Sequence, residues 1–419
     1  MRVLIVCMYH PDLIRGGSQR VAYELFTALK GREAIAPFFL ASSDQNSIAA
    51  NKDDLGIINF DQREDEFLFL SQDYDYDWQR TECESLTKTF SNFLNSLKPD
   101  VVHFHHFMTL GIDYLSLTRR ILPNAKIIYT AHDFWPLCAA GGHMVRVPDG
   151  SLCERPSGIK CQQCRPEHNA DHYVLRQMWF KAHLEAANVM TVPSNFMNHF
   201  YADWGIAPEK LRHIENGITS GAGSTDTKPA SARKNRFGFF GQLVNIKGIH
   251  ILLEAVELLR NGGLSDFSVE INGDNLHFAS PEMQTRIKDF LEREAKRPPS
   301  ERNVSFNGPY DPASLGERMH RVDWVVVPST WREVFCLVVS EAWNYGRPVI
   351  ASNIGSLAER VTDGLDGMLF SAGNAYDLAE KMQMAIERPE TWDRLHKGIS
   401  PPISQNDMAD KFLELYLTS

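Results

Sequence analysis

Short apolar runs without polar alternation recur along the whole chain, and no other feature constrains the fold as strongly. In the first half they fall at 3–8, 101–104, 127–130 and 189–192; in the second, at 237–240, 269–272, 325–327 and 349–351. A strand with one wet face alternates apolar and polar residues. A run that is apolar at every position reads as a strand covered on both faces. Between the runs lie segments of helical period at 20–30, 86–97, 249–259, 281–294, 340–345 and 376–386. Strand alternating with helix predicts α/β architecture, with parallel sheets in Rossmann-like, doubly wound domains.

With 419 residues the chain exceeds one ordinary core. Residues 218–235 are small, polar and without period, as expected of a linker or long loop. The expected division is a first domain at 1–217, the linker at 218–235 and a second domain at 236–400. A terminal segment at 401–419 carries a helix that could cross back to the first domain.

Charge and hydropathy narrow the class. A net charge of -10 excludes a broad nucleic-acid surface. Much of the excess acid sits at 53–84, which reads as a solvated loop region. No apolar run is long enough to span a bilayer, so any membrane contact would be peripheral. The apolar start ends at Tyr9-His10-Pro11-Asp12, too early for a signal peptide and better suited to a buried strand. A cytoplasmic chain is expected, and in that reducing setting its seven cysteines need not form a disulfide framework.

Four segments carry candidate chemistry. Gly16-Gly17 follows the first strand and opens a helix, where backbone N–H groups can meet phosphate or sugar oxygens. It matches neither Walker A nor a full G-x-G-x-x-G, and a tight structural turn is an equal reading. His132, with Asp133 beside it, lies just past the carboxyl end of a strand, where open α/β sheets place ligands. There His132 can hydrogen-bond a reacting sugar while Asp133 orients it. In Gly241-Gln242-Leu243-Val244-Asn245-Ile246-Lys247-Gly248, Lys247 can neutralise a diphosphate leaving group. The sharpest segment is 328–342. Here a strand runs through a polar loop holding Glu333 into a helix starting near Phe335-Cys336-Leu337 and carrying Glu341. The helix start can hold the distal phosphate of a nucleotide, Glu333 can accept bonds from sugar hydroxyls, and Glu341 can accept a pair from ribose.

These segments together resemble the retaining glycosyltransferases of family 4, of GT-B fold, in which two Rossmann-like domains face each other across a cleft. The resemblance rests on Glu333 and Glu341, the 241–248 loop, Gly16-Gly17, His132, Asn216-Gly217 and the glycines at 355–367, all in the family's order. It covers nearly the whole chain and is strongest over 236–370. It implies a nucleotide-sugar donor held mainly by the second domain, with Glu333 on the sugar, Glu341 on ribose and Lys247 on the diphosphate. Gly16 and Gly17 would cover the diphosphate, His132 would approach the reacting face, and Gly308-Pro309-Tyr310 would receive the nucleobase. The implied activity is retaining transfer of a sugar to a hydroxyl of a glycan or lipid-linked glycan, as in bacterial surface-polysaccharide synthesis. No Asp-x-Asp element stands at a suitable place, so no catalytic metal or other cofactor is expected. Two departures stand out: Gln242 occupies a position where the family usually has Arg, and Cys336 replaces a common Gly.

Two other readings compete. A sugar-nucleotide 2-epimerase shares the two-domain fold, and a non-catalytic subunit could retain it for partner binding. The segment at 328–342 argues against the first, and the set Glu333, Glu341, Lys247 and His132 against the second.

Cys138, Cys153, Cys161 and Cys164 fall within 27 residues, the last two as C-x-x-C, with His143, His168 and His172 close by. Their surroundings, 138–172, read as an insertion rich in Gly, Pro and charge. A structural zinc knot, reduced thiols and a disulfide all fit this spacing.

Overall fold

The computed structural model describes residues 1–44, 56–72, 74–219 and 233–418. Most of the expected linker, 220–232, lies outside the described residues. Two compact units emerge: Met1–Thr219 with Ile403–Ser419, and Ser220–Pro402.

In the first unit the strands are β1 (Arg2–Met8), β2 (Ala36–Asp44), β3 (Gly56–Asn59), β4 (Glu66–Ser71), β5 (Tyr74–Asp75), β6 (Arg80–Thr81), β7 (Val101–Phe104), β8 (Lys126–Thr130), β9 (Val189–Val192) and β10 (Leu211–His213). Eight of them form one sheet in the order β10-β9-β8-β7-β1-β2-β4-β3, parallel except where β3 meets β4. Residues Val3 to Cys7 of β1 are fully buried, as an apolar run covered on both faces requires.

The terminal helix, Gln405–Leu417, belongs to this unit. A capping box between Ser404 and Asp407 starts it, and Tyr416 ends it with a 2.7 Å hydrogen bond to His103 Nδ1. Gly217 lets the chain pass: a Cβ there would sit 2.3 Å from the Ser404 carbonyl oxygen.

The stretch at 53–84 is not the solvated loop its charge suggested. Its described part contains β3, β4 and the β5–β6 hairpin, and Phe69, Glu66, Ser71 and Gln79 are buried. The acidic residues at 61–65 occupy the turn before β4, while Phe67-Leu68-Phe69-Leu70 forms the strand itself. Charge averaged over the whole stretch hid a four-residue apolar run.

The second unit holds β11 (Arg236–Phe240), β12 (Ser268–Asn272), β13 (Val304–Gly308), β14 (Trp324–Val327), β15 (Val349–Ser352) and β16 (Gly367–Phe370). They form a parallel six-stranded sheet in the order β13-β12-β11-β14-β15-β16. Helices 249–261 and 375–387 pack on it around Phe237, Leu252, Val256, Leu378 and Met382.

Among the parallel strands of each sheet the order reverses at one place. In the first unit this is between β1 and β7, and in the second between β11 and β14. A doubly wound sheet opens a crevice beyond the carboxyl ends of the strands at such a reversal, because the crossovers on either side leave to opposite faces.

Candidate functional site

In the second unit the reversal brings two loops together. The loop after β11 carries Gln242 and Lys247, and the loop after β14 carries Ser329 and Glu333. They are locked by backbone contact: Thr330 N–H donates to the Ile246 carbonyl at 2.9 Å. Gly248, at φ +68°, makes this approach feasible, since a Cβ would fall 1.7 Å from the Pro328 carbonyl oxygen.

Lys247 Nζ donates to Glu333 Oε1 at 2.7 Å, and Ser329 Oγ donates to the same oxygen at 2.7 Å. Glu333 is only 3% exposed. Burial pulls the Lys247 pKa down, but the Glu333 carboxylate outweighs it and holds the ammonium above its ordinary range. A charged pair therefore stands at the reversal, with the cation half-buried.

The helix Leu337–Asn344 begins directly beyond. Its cap is Cys336 at φ +66°, ψ 85°, a left-handed conformation that glycine adopts freely and a side chain resists. This gives the family's usual glycine a physical reason. Burial and Glu333 push the Cys336 thiol up to about 12, so it is protonated. Cys336→Gly is expected to be neutral or stabilising by up to about 1 kcal/mol through relief of this strain. A urea titration measures it, and a clear loss of stability would show that the buried thiol packs better than the backbone strains.

Arg360 was not singled out from the sequence, yet it fixes this helix start. Its guanidinium donates to the carbonyls of Phe335 (2.7 Å) and Cys336 (2.9 Å) and to Ser340 Oγ (2.7 Å), and it lies 3.7 Å from the Phe335 ring centroid. Ser329 was missed likewise. Arg360 has no sequence signal of its own because its carbonyl partners lie 24 and 25 residues away, and Ser329, four residues before Glu333, reads locally as one more polar residue of the loop. Leu337 is half-buried at the helix start, and Glu341 is buried within the helix.

Gly308 ends β13, two strands from the reversal, and Pro309 and Tyr310 follow it. Arg318 ties them down, donating to the carbonyls of Gly308 (3.0 Å) and Pro309 (2.8 Å) and to buried Asn272 Oδ1 (2.9 Å). The Tyr310 ring meets Phe240 edge-on at 5.7 Å. Gln242 is exposed. Gln242→Arg is expected to tighten nucleoside diphosphate binding about two- to tenfold, within what one added, partly screened cation supplies. Isothermal titration with UDP measures it, and weaker binding would mean that the amide makes a contact of its own.

In the first unit the reversal lies between Gly16-Gly17, after β1, and a histidine run after β7. Gly16 caps the helix Gly17–Lys30 and lies against Gln19, whose Oε1 a Cβ would meet at 2.3 Å. His105 Nδ1 lies 2.9 Å from His132 Nε2, with the two rings stacked. His103 bonds Thr130 Oγ1 at 2.6 Å.

Asp133 does not orient His132 as the sequence suggested. Its Oδ2 accepts from His106 Nε2 at 2.8 Å and its Oδ1 from the Trp135 N–H at 2.9 Å. His106 Nδ1 accepts the Met108 N–H, which leaves the proton on Nε2. His132 takes its partner, His105, from the loop after β7 and not from its own chain neighbour. Burial and His106 push the His132 pKa down to about 3, which keeps the ring neutral and able to donate or accept one hydrogen bond.

Cys138, Cys153, Cys161 and Cys164 line one cavity of about 160 Å³. The Val147 N–H donates to Cys164 Sγ at 3.2 Å. No three of these sulfurs lie within 4.8 Å of one another. Among the described residues, the group of potential ligands that does is Asp77, His168 and His172.

Residues 15–220 match the model of Glycosyltransferase Family 4, and residues 225–399 that of glycosyl transferases group 1. The D-inositol 3-phosphate glycosyltransferase of Corynebacterium glutamicum (strain R) is 24% identical over 306 residues, 71% of this chain and 66% of that protein. The chain thus spans just under two thirds of that relative's length. The glycogen synthase of Mycobacterium tuberculosis is 24% identical over 408 residues, 94% of this chain and 88% of that enzyme. The crystal structure of Anabaena Alr3699/HepE in complex with UDP superposes with a TM-score of 0.68 at 17% identity over 99% of both chains. Sucrose-phosphate synthase from Thermosynechococcus elongatus gives 0.69 at 18% identity over 99% of this chain and 98% of that one. With these two domain models in tandem on a fold shared with those structures, the chain is a GT-B glycosyltransferase of the family 4 and group 1 type.

Proposed function

We propose that the protein transfers a sugar from a nucleoside-diphosphate sugar to a hydroxyl of a glycan or lipid-linked glycan, with retention at the anomeric carbon and without a catalytic metal. The observation that carries this reading is the Lys247–Glu333–Ser329 cluster beside a helix start, at the reversal of the second sheet. Lys247 and the helix amides supply positive potential for a departing diphosphate. Glu333, already gathering a cation and a hydroxyl, is placed to accept sugar hydroxyls once a phosphate competes for Lys247. Glu341 serves the ribose, and the 308–310 loop the base. In the first unit, neutral His132 offers one hydrogen bond to a sugar hydroxyl. The departing phosphate takes the acceptor's proton, so the protein contributes positioning and charge stabilisation and no nucleophile.

UDP-glucose is the first donor to try, since the HepE structures hold UDP and UDP-glucose. The test is incubation with a panel of nucleotide sugars and glycan acceptors, read by mass spectrometry and by anomeric proton NMR of the product. A glycosylated acceptor of unchanged anomeric configuration is expected. A free epimer of the donor would indicate the epimerase, an inverted product would remove the retaining mechanism, and no turnover with any donor would favour a binding subunit.

A further inference from the structure

Three side chains outside the donor machinery converge where the Cys-rich insertion meets the rest of the first unit. Asp77 sits in the turn between β5 and β6. His172 lies in the first turn of the helix Ala170–Leu184, and His168 precedes that helix. The two imidazoles lie over one another, near-parallel, with centroids 3.9 Å apart. Both Nε2 atoms are aimed at one oxygen: that of His172 hydrogen-bonds Asp77 Oδ2, and that of His168 lies 3.6 Å from it.

The surroundings hold this arrangement from outside. The other carboxylate oxygen of Asp77 is buried, accepts no hydrogen bond and faces Arg165 Nη1 at 3.6 Å. A cation on the distal oxygen leaves Oδ2 free to bind and orients it, which is the usual support of a ligating carboxylate. Arg176, 1% exposed, donates to the backbone carbonyl of Asp77 at 2.7 Å and so fixes the turn. Trp78 packs edge-on against the His172 ring at 5.1 Å.

We propose that Asp77, His168 and His172 bind one divalent transition-metal ion of the zinc class. Two imidazole nitrogens and one carboxylate oxygen make a borderline set that zinc accepts tetrahedrally, with water as the fourth ligand. Magnesium and calcium want oxygen ligands and fit poorly. The ion replaces the His172–Asp77 hydrogen bond and staples the β5–β6 turn to the insertion. The four cysteines are the weaker set. Zinc–sulfur bonds of about 2.3 Å require sulfurs roughly 3.8 Å apart in a tetrahedron, and no three of these come within 4.8 Å of one another.

The test uses the full chain, stripped by chelator and dialysed. Zinc is titrated by calorimetry and cobalt(II) by visible absorption. The expected result is about one equivalent of zinc, a rise in Tm with zinc, and a cobalt spectrum without the intense near-ultraviolet thiolate charge-transfer band. Binding persists in the Cys161→Ser, Cys164→Ser double variant and disappears in His172→Ala. Half-exposed His168→Gln, which should fold normally, weakens it and lowers the zinc-dependent gain in Tm. A folded wild-type chain that takes up no zinc overturns the proposal. A thiolate charge-transfer band, lost with the two cysteines, overturns it in favour of the sulfur site.

Discussion

Glu333→Ala is expected to lower kcat about 10²- to 10³-fold while UDP binds as well as to the wild type, or better. That loss is the size seen when one preorganised electrostatic contact to a transition state is removed. The unchanged or improved nucleotide affinity follows from the geometry. Glu333 neutralises Lys247 at 2.7 Å, so its removal leaves a half-buried ammonium that an arriving diphosphate can pair with. Lys247→Ala should do the opposite: nucleotide affinity falls, and the 3%-exposed Glu333 carboxylate keeps only Ser329. Glu341→Ala should raise donor KM with a smaller effect on kcat, because a ribose contact exists in ground and transition states alike. Single-turnover kinetics and UDP titration of the three folded variants decide this. If Glu333→Ala loses UDP as badly as Lys247→Ala, the two residues act as one binding element and the division of labour is wrong.

Acid should unfold the first unit well before the second. Burial holds His103 and His105 far below the ordinary imidazole range, and burial with His106 pushes His132 to about 3. Burial also lowers His10 and His183. In the second unit His250 is so affected, pushed to about 4 by burial and Arg286.

For each of these groups the folded pKa lies below the unfolded value of about 6.5, so the folded chain binds fewer protons in acid. Their contribution is complete above about pH 6.5 and shrinks as the pH falls towards the folded values, near 3 for His132 and near 4 for His250. Within that window each neutral imidazole costs up to about 1.4 kcal/mol per pH unit. Several together in the first unit amount to a few kcal/mol by about pH 5, a large part of a typical domain's stability. Urea unfolding at about pH 7.5 and about pH 5, with limited proteolysis mapped to each unit, reads the difference. Equal acid sensitivity of the two units would show that the histidine cluster is not kept neutral.

The sequence by itself determined the class of fold and singled out most of the residues that gather at the reversal of the second sheet. Apolar runs covered on both faces specify parallel strands locally, so β1, β7, β9, β11 and β14 were legible to within a residue or so. Lys247, Glu333 and Glu341 were legible because each follows or opens an element at a strand's carboxyl end, a position set by chain order alone. Strand β4 was hidden by the charged turn before it, since averaged charge obscures a short apolar run.

Only the tertiary structure decided who pairs with whom. That Lys247 neutralises Glu333, that Arg360 holds the helix cap, and that Asp133 serves His106 and leaves His132 to His105 all depend on loops separated along the chain. The strained φ of Cys336 and the convergence of Asp77 with His168 and His172 are of the same kind. Periodicity records how a segment meets water and core. Hydrogen-bond partners are set by tertiary packing, which brings together Asp77 and His172, 95 positions apart, and His103 and Tyr416, 313 apart, and no local pattern carries that information.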